Sequence, residues 1–221
     1  SFDIPTVPFQ EYPEIPENKY EALFTIEADR LKSIISSLLY AINAEPTKPA
    51  LNGAYFNFTQ DKIDFVATDG HRLVKITRQN ETNINKGYII PKKYLNILNT
   101  FLEGQKETSL IFSEDYVFSN NGKDVFYSKI IDEKFPNYNA VIPESNPEEL
   151  TAQKTEVLNN IKAASIATNK NTNQISLNFS EGKVYFKSVN QPESKTVYAP
   201  VKSAEYKGEE LAIGFNAVYL K

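Results

Sequence analysis

The chain has a single histidine, His71, within the run Thr68-Asp69-Gly70-His71-Arg72-Leu73, where a carboxylate, an imidazole and a guanidinium crowd together. An Asp–His pair can act as an acid–base couple, but only beside a nucleophile, and no Gly-x-Ser-x-Gly stretch presents one. A lone histidine excludes a multi-histidine metal centre, and the absence of cysteine excludes thiolate ligands and disulfides. Asp69 and His71 therefore read as structural, and no catalytic residue, metal or cofactor is expected. The remaining chemistry is cationic. Arginine occurs only as Arg30, Arg72 and Arg78. Bidentate reading of base edges relies on arginine, so any nucleic-acid contact should be local, lysine-based and directed at phosphates.

The elements that must position these groups follow from periodicity. Leu31, Ile34, Ile35 and Leu38 have the spacing of a helix with one apolar stripe. Leu95, Leu98 and Leu102 repeat that spacing behind Pro91, a residue suited to a first helical turn. Ile63, Phe65 and Ala67 alternate as a strand does, and Asp69-Gly70 is a turn signal leading into Arg72–Ile76. Strands also fit 109–118 and 124–131. Such a unit packs helices on one face of an antiparallel sheet. With 41% hydrophobic residues, the 221-residue chain can bury one large core or two small ones. No apolar run reaches the roughly 18 residues of a membrane span and no signal peptide opens the chain, so a soluble cytoplasmic protein is expected. A balance of 24 basic against 28 acidic residues argues against a uniformly basic nucleic-acid binder.

The chain also repeats itself. Residues 56–69 read FNFTQDKIDFVATD and residues 177–190 read LNFSEGKVYFKSVN, with matched apolar positions around a matched turn. Ahead of this pair, Leu23, Leu31, Ile34 and Leu39 recur as Leu150, Leu158, Ile161 and Ile166; behind it, IIPKKYL at 89–95 recurs as GFNAVYL at 214–220. A shorter echo links Tyr12–Glu17 to Phe135-Pro136 and Val141–Glu144. The expected organisation is the tail of one repeat over residues 1–18, a complete repeat over 19–147 and an incomplete one over 148–221. The absence of any methionine fits either a fragment or a methionine-poor family.

The stretch Val66-Ala67-Thr68-Asp69-Gly70-His71-Arg72-Leu73 resembles the signature of the bacterial DNA sliding clamp family, the beta subunit of DNA polymerase III. Leu51-Asn52-Gly53, Ile90-Pro91-Lys92-Lys93, Phe135-Pro136-Asn137-Tyr138 with Val141-Ile142-Pro143, and Ile213-Gly214-Phe215-Asn216 resemble it in the same order. The resemblance implies an α+β fold of tandem clamp domains, each with helices packed on antiparallel sheet and arranged as part of a ring. It implies a non-catalytic processivity factor that tethers the polymerase III alpha subunit, the clamp loader and repair proteins to double-stranded DNA, without sequence preference and without a membrane. It also implies that the full-length protein pairs as a homodimer.

Carried over residue by residue, the resemblance puts Leu51, Thr68, Gly70, His71, Arg72, Leu73, Pro136 and Val141 around a groove for peptides with leucine and phenylalanine anchors. It puts Arg30, Lys32, Lys92, Lys93 and Lys162 on helices facing DNA phosphates. It maps an interface helix to 155–168, with Ile166 and Ala167 at the dimer contact. Asn139 and Ala140 depart from the basic residues frequent there, so the groove rim should be less selective for acidic motif ends. From residue types alone, other readings remain open. Asp69-Gly70 can be a plain hairpin turn, and Leu51, Leu73, Pro136 and Val141 can be ordinary core. The whole can be a repeat-built interaction module unrelated to DNA, or a hydrolase using Asp69, His71 and a serine.

Overall fold

The computed structural model describes residues 22–120, 124–180, 182–190 and 194–221, together with Thr6, Pro8 and Pro16. Nearly all of the expected 1–18 repeat tail therefore lies outside the described residues. The chain divides into two compact units, one through Asn139 and one from Ala140 to Lys221.

The first unit runs β1 (Ala22–Glu27), α1 (Ala28–Leu39), β2 (Gly53–Phe58), β3 (Lys62–Thr68), β4 (Leu73–Gln79), β5 (Gly87–Pro91), α2 (Lys92–Phe101), β6 (Glu107–Phe112), β7 (Tyr116–Asn120) and β8 (Val125–Lys129). Its strands form two antiparallel four-stranded sheets, ordered β4-β3-β2-β5 and β1-β6-β7-β8. The apolar stripe of α1 explains its placement: Leu31, Ile34, Ile35 and Leu38 are all buried, and the helix packs against α2 and strands of both sheets. Tyr94, Leu95 and Leu98 do the same for α2. Pro91, expected in the first turn of α2, lies one residue earlier as its N-cap. There it pairs with Gly53 as the last residue of β5, and its ring-fixed φ of −59° suits both the strand end and the helix entry.

The expected strand over 109–118 is two strands. Ser113-Glu114-Asp115 breaks it, because the Ser113 hydroxyl accepts from the Tyr116 N–H at 3.1 Å and closes a β6–β7 hairpin. Within 124–131 the strand is Val125–Lys129.

The second unit runs β9 (Glu149–Thr151), α3 (Lys154–Ser165), β10 (Gln174–Ser180), β11 (Lys183–Asn190), β12 (Lys195–Pro200), β13 (Glu205–Lys207), β14 (Leu211–Asn216) and α4 (Ala217–Leu220). One four-stranded antiparallel sheet, β12-β11-β10-β14, carries α3, and β9 pairs with β13. The repeat is visible as structure. Phe56 faces Phe65 across β2–β3, and their counterparts Leu177 and Phe186 face each other across β10–β11. Pro91 caps α2 where Asn216 caps α4.

The mapped interface helix is shorter than expected. α3 ends at Ser165, Ile166 is its C-cap and Ala167 lies beyond it. Ile166 is 80% exposed, but Ala167 is 1% exposed and packed inside its own unit, so Ala167 has no surface to offer a partner. The chain turns there because Thr168 bonds back to the Ser165 carbonyl and Asn173 adopts a left-handed φ of 49°.

Candidate functional site

The turn between β3 and β4 is locked by its own side chains. The Thr68 hydroxyl donates to the Arg72 carbonyl at 2.7 Å and accepts from the Gly70 N–H at 3.1 Å. Asp69 Oδ1 accepts from the N–H groups of His71 and Arg72, at 3.0 and 3.1 Å, and Oδ2 accepts from Arg72 Nε at 3.0 Å. Gly70 has φ +90°, a conformation that costs a side-chain-bearing residue energy and leaves the turn backbone uncovered. The Arg72 guanidinium also lies 5.1 Å from the centroid of the Tyr40 ring, pinned between an acid and an aromatic face.

Burial alone would raise the Asp69 carboxyl. The backbone N–H groups of His71 and Arg72 and the Arg72 side chain outweigh it and hold the group below the ordinary carboxylate range. A carboxylate engaged in this way is a structural anion and a poor proton acceptor, which removes the Asp69–His71 acid–base reading. His71 itself is exposed at the turn tip.

Beside this turn lies a small apolar cluster of Val66, Ile89, Phe135 and Tyr138, separate from the main core of the unit. Leu51 and Leu73, far apart in sequence, both pack on its partly open edge with Ala50, Tyr55 and Ile131. The structure thus joins Leu51, Leu73 and the Thr68–Arg72 turn on one side of the first unit. Pro136 is exposed next to Phe135. Val141 belongs to the second unit and is 69% exposed. Leu51 and Leu73 are neither buried core nor free surface, as residues of a shallow apolar groove would be.

Phe135 and Tyr138 form the buried floor of this surface with Tyr55 packed on them; the sequence marks Phe135-Pro136-Asn137-Tyr138 only as a family-like stretch and gives these rings no site role. One signal for them was available. Asp64 sits in the middle of the apolar strand Ile63–Ala67, where an acid is out of place unless something satisfies it.

The five expected phosphate-facing cations lie on helices. Arg30 and Lys32 are on α1, Lys92 and Lys93 open α2, and Lys162 is on α3. Arg30, Lys93 and Lys162 are exposed, and Lys32 and Lys92 half-buried. None of the five forms an ion pair among the described residues, whose ion pairs are Lys48–Glu45, Lys62–Asp64, Arg72–Asp69 and Lys75–Asp64. Lys92 Nζ donates to the Ile42 carbonyl at 3.3 Å, which leaves Lys93 the more open of the pair. No described helix is long and apolar enough to cross a membrane.

Two units of helices packed on antiparallel sheet, carrying the locked Thr68–Leu73 turn and helix cations with no ion pair among the described residues, fit the sliding-clamp class. The family model for the central domain of the DNA polymerase III beta subunit matches residues 25–137, and that for its C-terminal domain matches residues 139–221. The chain belongs to the DNA polymerase III beta subunit family. It is 29% identical over 226 aligned positions to the beta sliding clamp of Proteus mirabilis, covering 99% of this chain and 60% of that protein. The crystal structure of a sliding clamp (DNA polymerase III subunit beta) from Bartonella birtlesii, bound to griselimycin, superposes with a TM-score of 0.88 at 30% identity, over 99% of this chain and 60% of that one. The DNA polymerase III subunit beta of Pseudomonas aeruginosa gives a TM-score of 0.89 at 26% identity, over 97% of this chain and 59% of that one. The chain thus spans about 60% of the length of the relatives it matches.

Proposed function

We propose that this chain is the central and C-terminal portion of a bacterial DNA sliding clamp, a non-catalytic processivity factor that encircles duplex DNA and holds DNA polymerase III on it. In this reading residues 1–18 end a first clamp domain, 19–147 form the second and 148–221 begin the third. Arg30, Lys32, Lys92, Lys93 and Lys162 meet phosphates without reading bases, so the protein keeps the same energy along the duplex and slides. Flexible lysine ammonium groups suit such a surface, since they demand no fixed geometry. Concentrating them on helix faces reconciles DNA binding with a net charge of −4.

The groove beside the Thr68–Leu73 turn receives leucine and phenylalanine anchors of partner peptides from the polymerase alpha subunit, the clamp loader and repair proteins. Buried apolar anchors carry most of the energy of such contacts. The full-length protein works in the bacterial cytoplasm as a head-to-tail homodimer, with Ile166 at the contact. The observation that carries the reading is the meeting of Leu51 and Leu73 on one half-open apolar cluster next to the locked turn.

Fluorescence anisotropy with a labelled leucine/phenylalanine peptide tests the groove: Leu73→Ala should weaken binding at least tenfold, and unchanged affinity would defeat the assignment. The encircling role is tested separately. The full-length protein should stay on circular DNA and leave once the circle is cut, and retention on linear DNA would refute it.

A further inference from the structure

Asp64 is the most deeply buried charge described in the chain, at 1% exposure, and neither the groove nor the helix cations account for it. It lies on the face of β3 turned away from the main core, in register with Asn57 of β2 and Thr77 of β4. Its carboxylate accepts from the Thr77 hydroxyl at 2.7 Å and from the Tyr138 hydroxyl at 2.9 Å, with Lys62 and Lys75 Nζ at 3.4 and 3.5 Å. The Tyr138 hydroxyl also accepts from Asn57 Nδ2 at 2.9 Å. Lys75 continues outward, donating to Asn139 Oδ1 at 3.0 Å and lying 5.2 Å from the Tyr138 ring centroid.

Tyr138 belongs to the segment that follows β8, and the rest of that segment is tied to the same sheet. The Ile131 N–H donates to the Ile89 carbonyl at 2.9 Å. Phe135 stacks on Tyr55 with ring centroids 4.8 Å apart and planes 9° from parallel. The Tyr55 ring occupies the space a Cβ at Gly87 would need, so the glycine is what lets the stack form. Residues 131–139 are thus a strap over the outer face of β2–β3–β4, and Phe135 and Tyr138 are half of the buried cluster on which Leu51 and Leu73 pack.

A buried carboxylate is seldom worth more in stability than an apolar side chain of the same size, but leaving its acceptor oxygens unsatisfied is costly, so its donors must arrive in hydrogen-bonding geometry. An apolar underside would let the strap slip by a residue, whereas the hydroxyl of Tyr138 reaches Asp64 in one register alone. We propose that the Asp64–Tyr138 clasp is a positioning device that sets the register of the 131–139 strap and thereby shapes the apolar floor of the peptide groove. The inference rests on the groove reading above. It adds Asp64, which is 1% exposed and acts from beneath the groove, and gives the Tyr138 hydroxyl a positioning role. Burial works against the Asp64 charge, but the two hydroxyls and the two lysines outweigh it, so the carboxylate stays ionised at neutral pH and the Tyr138 phenol keeps its proton to donate.

The test uses three variants of the 221-residue chain. Tyr138→Phe removes one oxygen, Asp64→Ala removes the acceptor, and Thr77→Val removes a hydrogen bond from the same carboxylate without touching the strap. Two quantities are read: the Kd of a fluorescein-labelled peptide with leucine and phenylalanine anchors, and the rate of trypsin cleavage after Lys134, an exposed lysine on the strap. Tyr138→Phe and Asp64→Ala should each raise Kd about tenfold and speed cleavage by a similar factor, with the double variant no worse than the more affected single one. Thr77→Val should lower Tm while leaving both readouts within about twofold. Equal effects of Thr77→Val and Tyr138→Phe would reduce the acid to a general stabiliser and overturn the proposal. Unchanged Kd in a Tyr138→Phe chain whose parent binds the peptide would overturn it as well. A parent that ignores the peptide while cleavage still responds removes the groove reading and leaves the clasp standing.

Discussion

Two pairs of matched elements in the two units start from similar patterns and end in different surroundings. Helix α1 and helix α3 align through Ile34 and Ile161, both buried. One position on, Ile35 is fully buried whereas its counterpart Lys162 is exposed. The reason is the number of neighbours. α1 is enclosed by α2 and by strands of two sheets, which requires a wide apolar stripe; α3 rests on one sheet and the short α4, and a narrow stripe suffices.

Strands β3 and β11 make the same point. In β11 the burial alternates through Val184, Phe186 and Ser188, as a strand with one covered face should. In β3 every residue from Ile63 to Ala67 is buried, because the 131–139 strap covers the second face. Asp64 lies under that strap, and its counterpart Tyr185 is half exposed beside Tyr198. A repeat therefore conserves hairpins and helices while each copy's outer layers decide what the side chains meet.

The strongest way to break this comparison is to exchange the helix residues. Ile35→Lys places a charge at a fully buried position of the main apolar cluster and should cost more than about 4 kcal/mol, enough to unfold the first unit in a urea titration. The reciprocal Lys162→Ile should change the unfolding free energy by less than about 0.5 kcal/mol. Comparable effects of the two would mean that the helices share one environment.

Next in size is the strand pair. Asp64→Ala leaves the Thr77 and Tyr138 hydroxyls short of a buried acceptor and should cost about 2–3 kcal/mol, against less than about 1 kcal/mol for Tyr185→Ala, both by chemical denaturation.

Acid sharpens the same contrast. The carboxyls of Asp64 and Asp69 are held below their ordinary range, so the stability they contribute is full above the unfolded-state value near 4 and is lost as pH falls through the depressed folded values. Urea midpoints of the parent should fall below about pH 4, with a shallower fall in Asp64→Ala; an unchanged slope would detach the acid from the stability of the first unit.

The smallest effect concerns DNA. Lys162→Ala in the full-length protein should weaken binding equally for every duplex sequence and reduce the slope of log K against log salt by about 1. A sequence-dependent loss would contradict a phosphate contact.

The helices were readable because a stripe of four residues states its own period, and the Thr68–Leu73 turn because Asp and Gly act on backbone atoms two or three positions away. The candidate groove came from the family resemblance alone, since residue types by themselves fit a plain turn and ordinary core equally well. The break at Ser113 was missed because Thr108–Phe118 is apolar enough on both sides of the turn to look continuous. The link between Tyr138 and Asp64 stayed hidden because it spans 74 positions, and nothing local to either end names the other.

By itself, then, the chain's order of residues determined the repeat, the helix faces and the locked turn, all of which depend on contacts within a few positions. Only the tertiary structure decided that Leu51 and Leu73 share a cluster, that β3 is covered on both faces and that Ala167 is interior while Ile166 is not. Burial depends on which distant segment arrives above a residue, and no period along the chain carries that information.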